Sequence, residues 1–106
     1  MDQVDSTIQN LIETNPIILF IKGSRTFPQC GFSVTVVKIF ELMQIPYTTY
    51  NVLENEDVRQ GIKSYSNWPT IPQVYINKEF IGGADIIIDL YQTGKLQERV
   101  EKVLAS

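Results

Sequence analysis

The stretch of sequence that decides the fold is residues 17–33, IILFIKGSRTFPQCGFS. Its first five residues, Ile17–Ile21, form an apolar run of strand length, which is typical of a strand buried on both faces. A polar loop over residues 23–30 follows this strand. Apolar side chains then recur at helical spacing and predict a helix over about residues 31–43. The stretch is therefore a strand–loop–helix unit, with Cys30 at the point where the loop becomes the helix.

Apolar periodicity predicts the remaining elements on either side of this unit. Helices are expected over about residues 3–14 and 55–65, and from about 86 to 104 with a pause at Gly94; strands are expected over 47–52, 74–76 and 79–81. The last two strands are close enough to form a hairpin through Asn77-Lys78. The order α-β-α-β-α-β-β-α-α predicts an α/β fold in which helices flank both faces of a four-stranded mixed sheet. At 106 residues the chain has the length of one domain, spanning 1–106.

Charge and hydropathy exclude several classes of partner. A net charge of −3 and a pI near 4.8 do not fit a nucleic-acid-binding surface, which is basic. The longest apolar run, Ile17–Ile21, is far shorter than the roughly 18 residues that span a bilayer. The acidic start, Met1–Asp5, predicts neither a secretory signal nor an Arg-rich transit peptide. We therefore expect no nucleic-acid or membrane partner and a protein that is not secreted.

The histidine and cysteine content limits the chemistry. The chain has no histidine, which rules out Ser-His-Asp, Cys-His and His-ligated metal sites. Its one cysteine allows no internal disulfide and no Cys-x-x-Cys couple. A lone thiol fits a reducing compartment. Isoleucine occurs 14 times and alanine twice, a skew that points to an AT-rich genome, so we expect the cytoplasm or the stroma of a plastid that encodes the protein.

Cys30 has two interpretations. A free cysteine is commonly an inert buried thiol. This one, however, follows a polar loop and precedes a helix, where backbone N–H groups stabilise an anion and lower the thiol pKa. Lys22, at the end of the preceding strand, could reinforce this effect. The sequence therefore favours a reactive thiolate or a metal ligand.

Three other features also admit a structural and a functional interpretation. The segment Trp68-Pro69-Thr70-Ile71-Pro72-Gln73 is either a rigid turn or holds a cis Ile71–Pro72 bond that leaves the Ile71 backbone free to pair with an extended peptide. The segment Gly82-Gly83-Ala84-Asp85 is either a helix start with Asp85 as N-cap or a site for a carboxylate and an ammonium group. Lys22 and Arg59 are either solvated charges, with Arg59 pairing to Glu56, or ligand-binding cations.

Together these motifs resemble the monothiol, CGFS-type glutaredoxins over nearly the whole chain. The resemblance rests on four segments in order: Lys22-Gly23, Pro28-Gln29-Cys30-Gly31-Phe32-Ser33, Trp68-Pro69-Thr70-Ile71-Pro72-Gln73 and Gly82-Gly83-Ala84-Asp85. It implies a thioredoxin fold forming a single glutaredoxin domain, with a groove for glutathione. Many family members carry a second cysteine where this chain has Ala84.

The resemblance also implies roles for individual residues. Cys30 would be the active cysteine and a ligand of an iron–sulfur cluster. Lys22 and Arg59 would bind the glycyl carboxylate of glutathione, and the Ile71 backbone before cis-Pro72 would pair with its cysteinyl unit. The γ-glutamyl end would bind at Ala84 and Asp85. Such proteins bind a [2Fe-2S] cluster shared by two chains and pass it to apo iron–sulfur proteins, often with a BolA-like partner.

The number of thiols agrees with that expectation. A [2Fe-2S] cluster takes four soft ligands, normally thiolates. This chain offers one, so two chains and two glutathione thiols would complete the set, and such a cluster should be exchangeable. The alternative is a glutathione-dependent thiol–disulfide oxidoreductase, which needs only one cysteine. A third possibility is a regulatory adaptor that senses glutathione or iron status through a partner. This function overlaps with that of an iron–sulfur cluster carrier.

Overall fold

The computed structural model describes residues 2–105, and its helices and strands follow the predicted order. The helices are α1 (Gln3–Thr14), α2 (Gly31–Leu42), α3 (Glu56–Ser66), α4 (Ala84–Gln92) and α5 (Lys95–Leu104). The strands are β1 (Ile17–Ile21), β2 (Thr48–Asn51), β3 (Gln73–Ile76) and β4 (Glu79–Gly82), and a short 3-10 turn (Val52–Glu54) follows β2. Within the described range, every helix falls short of the length and apolar character needed to cross a membrane.

The strands form one mixed sheet in the order β2-β1-β3-β4. Strand β1 pairs parallel with β2 and antiparallel with β3, and β4 completes the antiparallel hairpin. All five residues of β1 are buried. This confirms the four-stranded mixed sheet and the strand buried on both faces.

Helices cover both faces of the sheet, as predicted. Residues of β1 alternate between two cores, because successive side chains of a strand point to opposite faces. Ile17, Leu19 and Ile21 pack under α2, α4 and α5, whereas Ile18 and Phe20 pack under α1 and α3. The two helical layers therefore meet the sheet at β1, and the loop after β1 emerges between them.

Several predicted boundaries differ from the structure by one or two residues, among them the end of β2 and the start of α4. Strand β2 ends at Asn51, because its side chain accepts the Leu53 N–H at 2.9 Å and starts the 3-10 turn. Helix α4 begins at Ala84 and not near Ile86. Its N-cap is Gly83, which makes no side-chain capping bond, so the structural interpretation of Asp85 as the N-cap is wrong. Asn55 caps α3, and its side chain accepts the Val58 N–H at 3.1 Å.

Candidate functional site

Cys30 is the N-cap residue of α2 and is partly exposed. The thiol pKa is lowered chiefly by the backbone N–H of Ser33. Desolvation opposes this shift, while the N–H of Phe32 and the charge of Lys22 add to it. Helix N-termini stabilise thiolates in this way. Cys30 thus sits where the sequence predicted, in surroundings that favour the nucleophilic and metal-binding form.

The start of α2 holds the strand–loop junction in place. Ser33 is fully buried, and its hydroxyl accepts the Lys22 N–H at 3.1 Å. The Lys22 carbonyl in turn accepts the Gln29 N–H at 2.8 Å, which closes the loop back towards Cys30. Gly23 has a φ of 96°, and its N–H donates to Asn51 Oδ1 at 2.9 Å. The backbone of Lys22, whose charge acts on the Cys30 thiol, is therefore fixed at both its N–H and its carbonyl.

The outer part of the loop is tied down by Arg25. Its guanidinium lies 2.9 Å from Glu41 Oε1 at the end of α2 and stacks over the Tyr47 ring, with its Cζ 3.9 Å from the ring centroid. The Tyr47 hydroxyl donates to the same Glu41 oxygen at 2.7 Å. Hydrogen bonds from Tyr47 and Arg25 lower the pKa of Glu41, and burial together with the Glu41 contact raises the pKa of Tyr47 to about 12. This contact cluster was not predicted from the sequence.

A groove of about 550 Å³ opens beside Cys30, here called the Cys30 groove. Its lining comes from the loop after β1, α2, α3, the segment before β3 and the start of α4: Lys22, Cys30, Phe32, Lys63, Trp68, Pro69, Thr70, Ile71, Pro72, Gly83, Ala84, Asp85 and Ile86. Grooves of this size hold small ligands. The structure therefore brings residues of all four motifs together, although Lys22 and Asp85 lie 63 residues apart in the sequence.

Residues Trp68–Pro72 form one side of the groove and are here called the groove wall. The Ile71–Pro72 peptide bond is cis, as the functional interpretation of this segment predicted. The indole of Trp68 packs against the start of α4, since a Cβ added to Gly83 would lie 3.1 Å from Trp68 Nε1. That Nε1 is buried and has no hydrogen-bond partner among residues 2–105. The wall and the helix start thus form one continuous surface.

The charged residues of the groove come from opposite sides of the sheet. Lys63 projects from α3 on one face and Asp85 from the first turn of α4 on the other, with Lys22 between them after β1. The sequence analysis did not predict Lys63 as a site residue. Its position one turn after Arg59 on the same helix could have indicated it.

Arg59 is the one predicted site residue that does not line the groove. Its Nη1 lies 3.8 Å from Glu56 Oε2, the surface pair that the i,i+3 spacing offered as its alternative. The Nε of the same guanidinium is buried and has no hydrogen-bond partner among residues 2–105, so the Glu56 contact does not use all of its donors. The ligand-binding role predicted for Arg59 is not tested by this geometry and remains a prediction.

The donor set for a metal is small. In the part of the chain that the structure describes, no three Cys, Asp or Glu side chains are grouped as metal ligands. Cys30 is the one soft ligand that the sequence supplies. Any iron–sulfur cluster held here would need thiolates from outside the chain.

Comparison with known proteins agrees with this geometry. The Glutaredoxin family profile matches residues 17–81. A Synechocystis protein named as an uncharacterised monothiol glutaredoxin ycf64-like is 53% identical over 98% of this chain and 97% of its own length. The chloroplastic monothiol glutaredoxin-S14 of Arabidopsis thaliana is 51% identical over 98% of this chain, which spans 60% of that protein. The solution structure of reduced poplar apo GrxS14 superposes with a TM-score of 0.84 at 48% identity, covering 97% and 94% of the two chains.

The fold and site define a thioredoxin-fold thiol protein with a groove beside its one cysteine. This chain belongs to the glutaredoxin family, and within it to the monothiol class.

Proposed function

We propose that this chain binds glutathione in the Cys30 groove and, as a pair of chains, carries a [2Fe-2S] cluster to apo iron–sulfur proteins. The observation that carries the proposal is a partly exposed thiol of lowered pKa at the end of a groove lined by both cationic and anionic side chains. Glutathione has matching groups in one small molecule: a terminal carboxylate, a thiol, and a γ-glutamyl end with both an ammonium and a carboxylate.

The groove offers a partner for each of these groups. The ammonium groups of Lys22 and Lys63 suit the glycyl carboxylate, and the Arg59 guanidinium would join them. The backbone of Ile71 lies on the groove wall and would pair with the cysteinyl unit. The free N–H groups at the start of α4, including that of Ala84, would bind the γ-glutamyl carboxylate. Asp85 would bind the γ-glutamyl ammonium.

The same site supports cluster binding by a pair of chains. Two Cys30 thiolates and two glutathione thiolates supply the four ligands that a [2Fe-2S] cluster takes. Two of these four ligands, the glutathione thiolates, would not be covalently attached to the protein. The cluster would therefore be transferred to an acceptor protein by ligand exchange. We infer a cluster-bound homodimer and a BolA-like protein as a second partner class. The chloroplast named in one relative and the cyanobacterial source of another favour a plastid or cytoplasmic setting.

A second candidate function follows from the lowered pKa of Cys30. As an oxidoreductase, the Cys30 thiolate would attack the glutathione sulfur of a protein mixed disulfide and release the protein thiolate. A second glutathione thiolate would then attack the Cys30–glutathione disulfide, forming glutathione disulfide and restoring the Cys30 thiolate. The incoming glutathione is the reductant: its sulfur joins the sulfur taken from the mixed disulfide as glutathione disulfide, while the protein sulfur is reduced to a thiol, so no further reductant is needed.

Anaerobic reconstitution with iron, sulfide and a cysteine desulfurase, with and without glutathione, tests the proposal. We expect [2Fe-2S] absorption bands only with glutathione, eluting with a dimer, and transfer of the cluster to an apo-ferredoxin. Cys30→Ser is the control and should stay colourless. A colourless wild-type monomer that reduces a glutathionylated peptide would refute the carrier and support the oxidoreductase.

A further inference from the structure

A fully buried amide lies directly behind the Cys30 groove. Gln73, the first residue of β3, has none of its surface exposed. Its Nε2 donates to the carbonyl oxygens of Trp68 at 3.1 Å and Thr70 at 3.3 Å. Both carbonyls belong to the groove wall. One side chain therefore ties the wall to the central sheet at two points.

The acceptor side of the same amide is also held. The Tyr75 hydroxyl donates to Gln73 Oε1 at 3.3 Å, and Tyr75 is 2% exposed. Its ring packs on Phe20 and Phe80, with centroids 5.7 and 5.4 Å apart. Burial raises the pKa of Tyr75, which keeps its hydroxyl protonated as a donor. The orientation of the Gln73 amide is thus fixed from the sheet side as well as from the wall side.

The wall needs such an anchor because it lies outside every helix and strand. Pro69 and Pro72 have no N–H with which to join a backbone ladder. The start of the wall is held by the Trp68 N–H, which donates to the Lys63 carbonyl at 3.1 Å. Beyond that point, the Gln73 amide donates two hydrogen bonds to the wall backbone, at Trp68 and Thr70.

We propose that Gln73, oriented by Tyr75, is a positioning residue for ligand binding in the Cys30 groove. It holds the carbonyls of Trp68 and Thr70, and so sets where the Ile71 backbone and the Trp68 indole stand before a ligand arrives. A preorganised wall need not be ordered by the ligand, which strengthens binding. The part of this inference that concerns glutathione rests on the proposed function; the part that concerns the wall itself does not.

The chain contains a single tryptophan, Trp68, so tryptophan fluorescence reports on the wall alone. In Gln73→Met, which keeps the volume but removes both donors, we expect acrylamide to quench Trp68 at least about twofold more strongly. Glutathione affinity should fall by about fivefold or more, a change of about 1 kcal/mol. The pH midpoint of Cys30 alkylation should not change, because the thiolate is stabilised from α2.

Val74→Ala is the matched control. Val74 is fully buried in the same strand but packs on the opposite face of the sheet. It should lower the melting temperature without altering Trp68 quenching or glutathione affinity. Equal quenching and equal affinity in folded Gln73→Met and in Val74→Ala would overturn the inference and leave Gln73 as a core residue only.

Tyr75→Phe keeps the aromatic packing and removes only the hydroxyl, so it tests the network should Gln73→Met not fold. We expect a smaller change in the same direction, about twofold in affinity. A folded Tyr75→Phe with wild-type quenching would overturn the role given to Tyr75. If the wild-type protein bound no glutathione, the proposed function would fail, and quenching in the two variants would still decide whether Gln73 holds the wall.

Discussion

Replacing Ser33 by alanine removes the hydroxyl that accepts the Lys22 N–H at 3.1 Å. Ser33 is fully buried and Lys22 is partly buried, so water reaches the freed N–H poorly. An unsatisfied buried donor costs about 1–3 kcal/mol, and partial access places Ser33→Ala at about 1–2 kcal/mol. For a domain of this size, each kcal/mol lowers the melting temperature by about 4–8 °C.

Ser33→Ala should also act on function, because the hydroxyl fixes the backbone of a residue that lines the Cys30 groove. We expect glutathione affinity to fall together with stability, measured by calorimetry and by thermal unfolding. Thr35→Ala is the control: the Thr35 hydroxyl donates to the Gly31 carbonyl at 3.1 Å in an exposed position, and its loss should change stability by less than about 0.5 kcal/mol. If Ser33→Ala and Thr35→Ala melted at the same temperature, the Ser33–Lys22 contact would not contribute as argued.

Three further predictions concern the thiol, the ligand and the loop. Because the pKa of Cys30 is lowered, its thiolate should persist to a lower pH than that of a free cysteine and be lost only as the pH falls through the lowered value. Iodoacetamide alkylation against pH should show this, and Lys22→Gln should move the midpoint upward, whereas an unmoved midpoint would exclude a contribution from that charge. Asp85→Asn should weaken glutathione binding about two- to fivefold, because Asp85 is exposed and an exposed ion pair with the γ-glutamyl ammonium contributes up to about 1 kcal/mol. Asp89→Asn, one turn further along α4, is the control. Equal affinities in the two variants would remove Asp85 from the site. Gly23→Ala should destabilise the protein by about 1–3 kcal/mol in denaturant unfolding, because φ is 96° and the added Cβ would collide with the loop backbone; wild-type stability would contradict the loop geometry.

Most of the fold could be predicted from local patterns. The apolar run of β1 predicted a strand buried on both faces, and the structure confirms it. The spacing of apolar residues located all five helices. The start of α4 was misplaced by two residues because Gly83 caps it without a side-chain bond, which leaves no capping residue to recognise in the sequence.

The site could be predicted only in part, for a physical reason. The roles of Cys30 and of the start of α4 could be predicted from the sequence, because both depend on the anion-stabilising N–H groups of a helix N-terminus. The position of Lys63 on the groove depends on how α3 packs beside the groove wall, which tertiary structure decides. The Arg59–Glu56 pair, by contrast, follows from the i,i+3 spacing within α3. Contacts such as Arg25 with Glu41, or Gln73 with the Trp68 carbonyl, require side chains to meet across loops of irregular backbone. Such contacts need tertiary structure.

The central claim is that a cluster is held jointly by two chains and two glutathione molecules. Native mass spectrometry of the reconstituted protein tests it most directly, because the intact mass counts every component. We expect one species of two chains, one [2Fe-2S] cluster and two glutathione molecules, and we expect it to be absent from Cys30→Ser. A cluster on a single chain, or a cluster-bound dimer without glutathione, would contradict it.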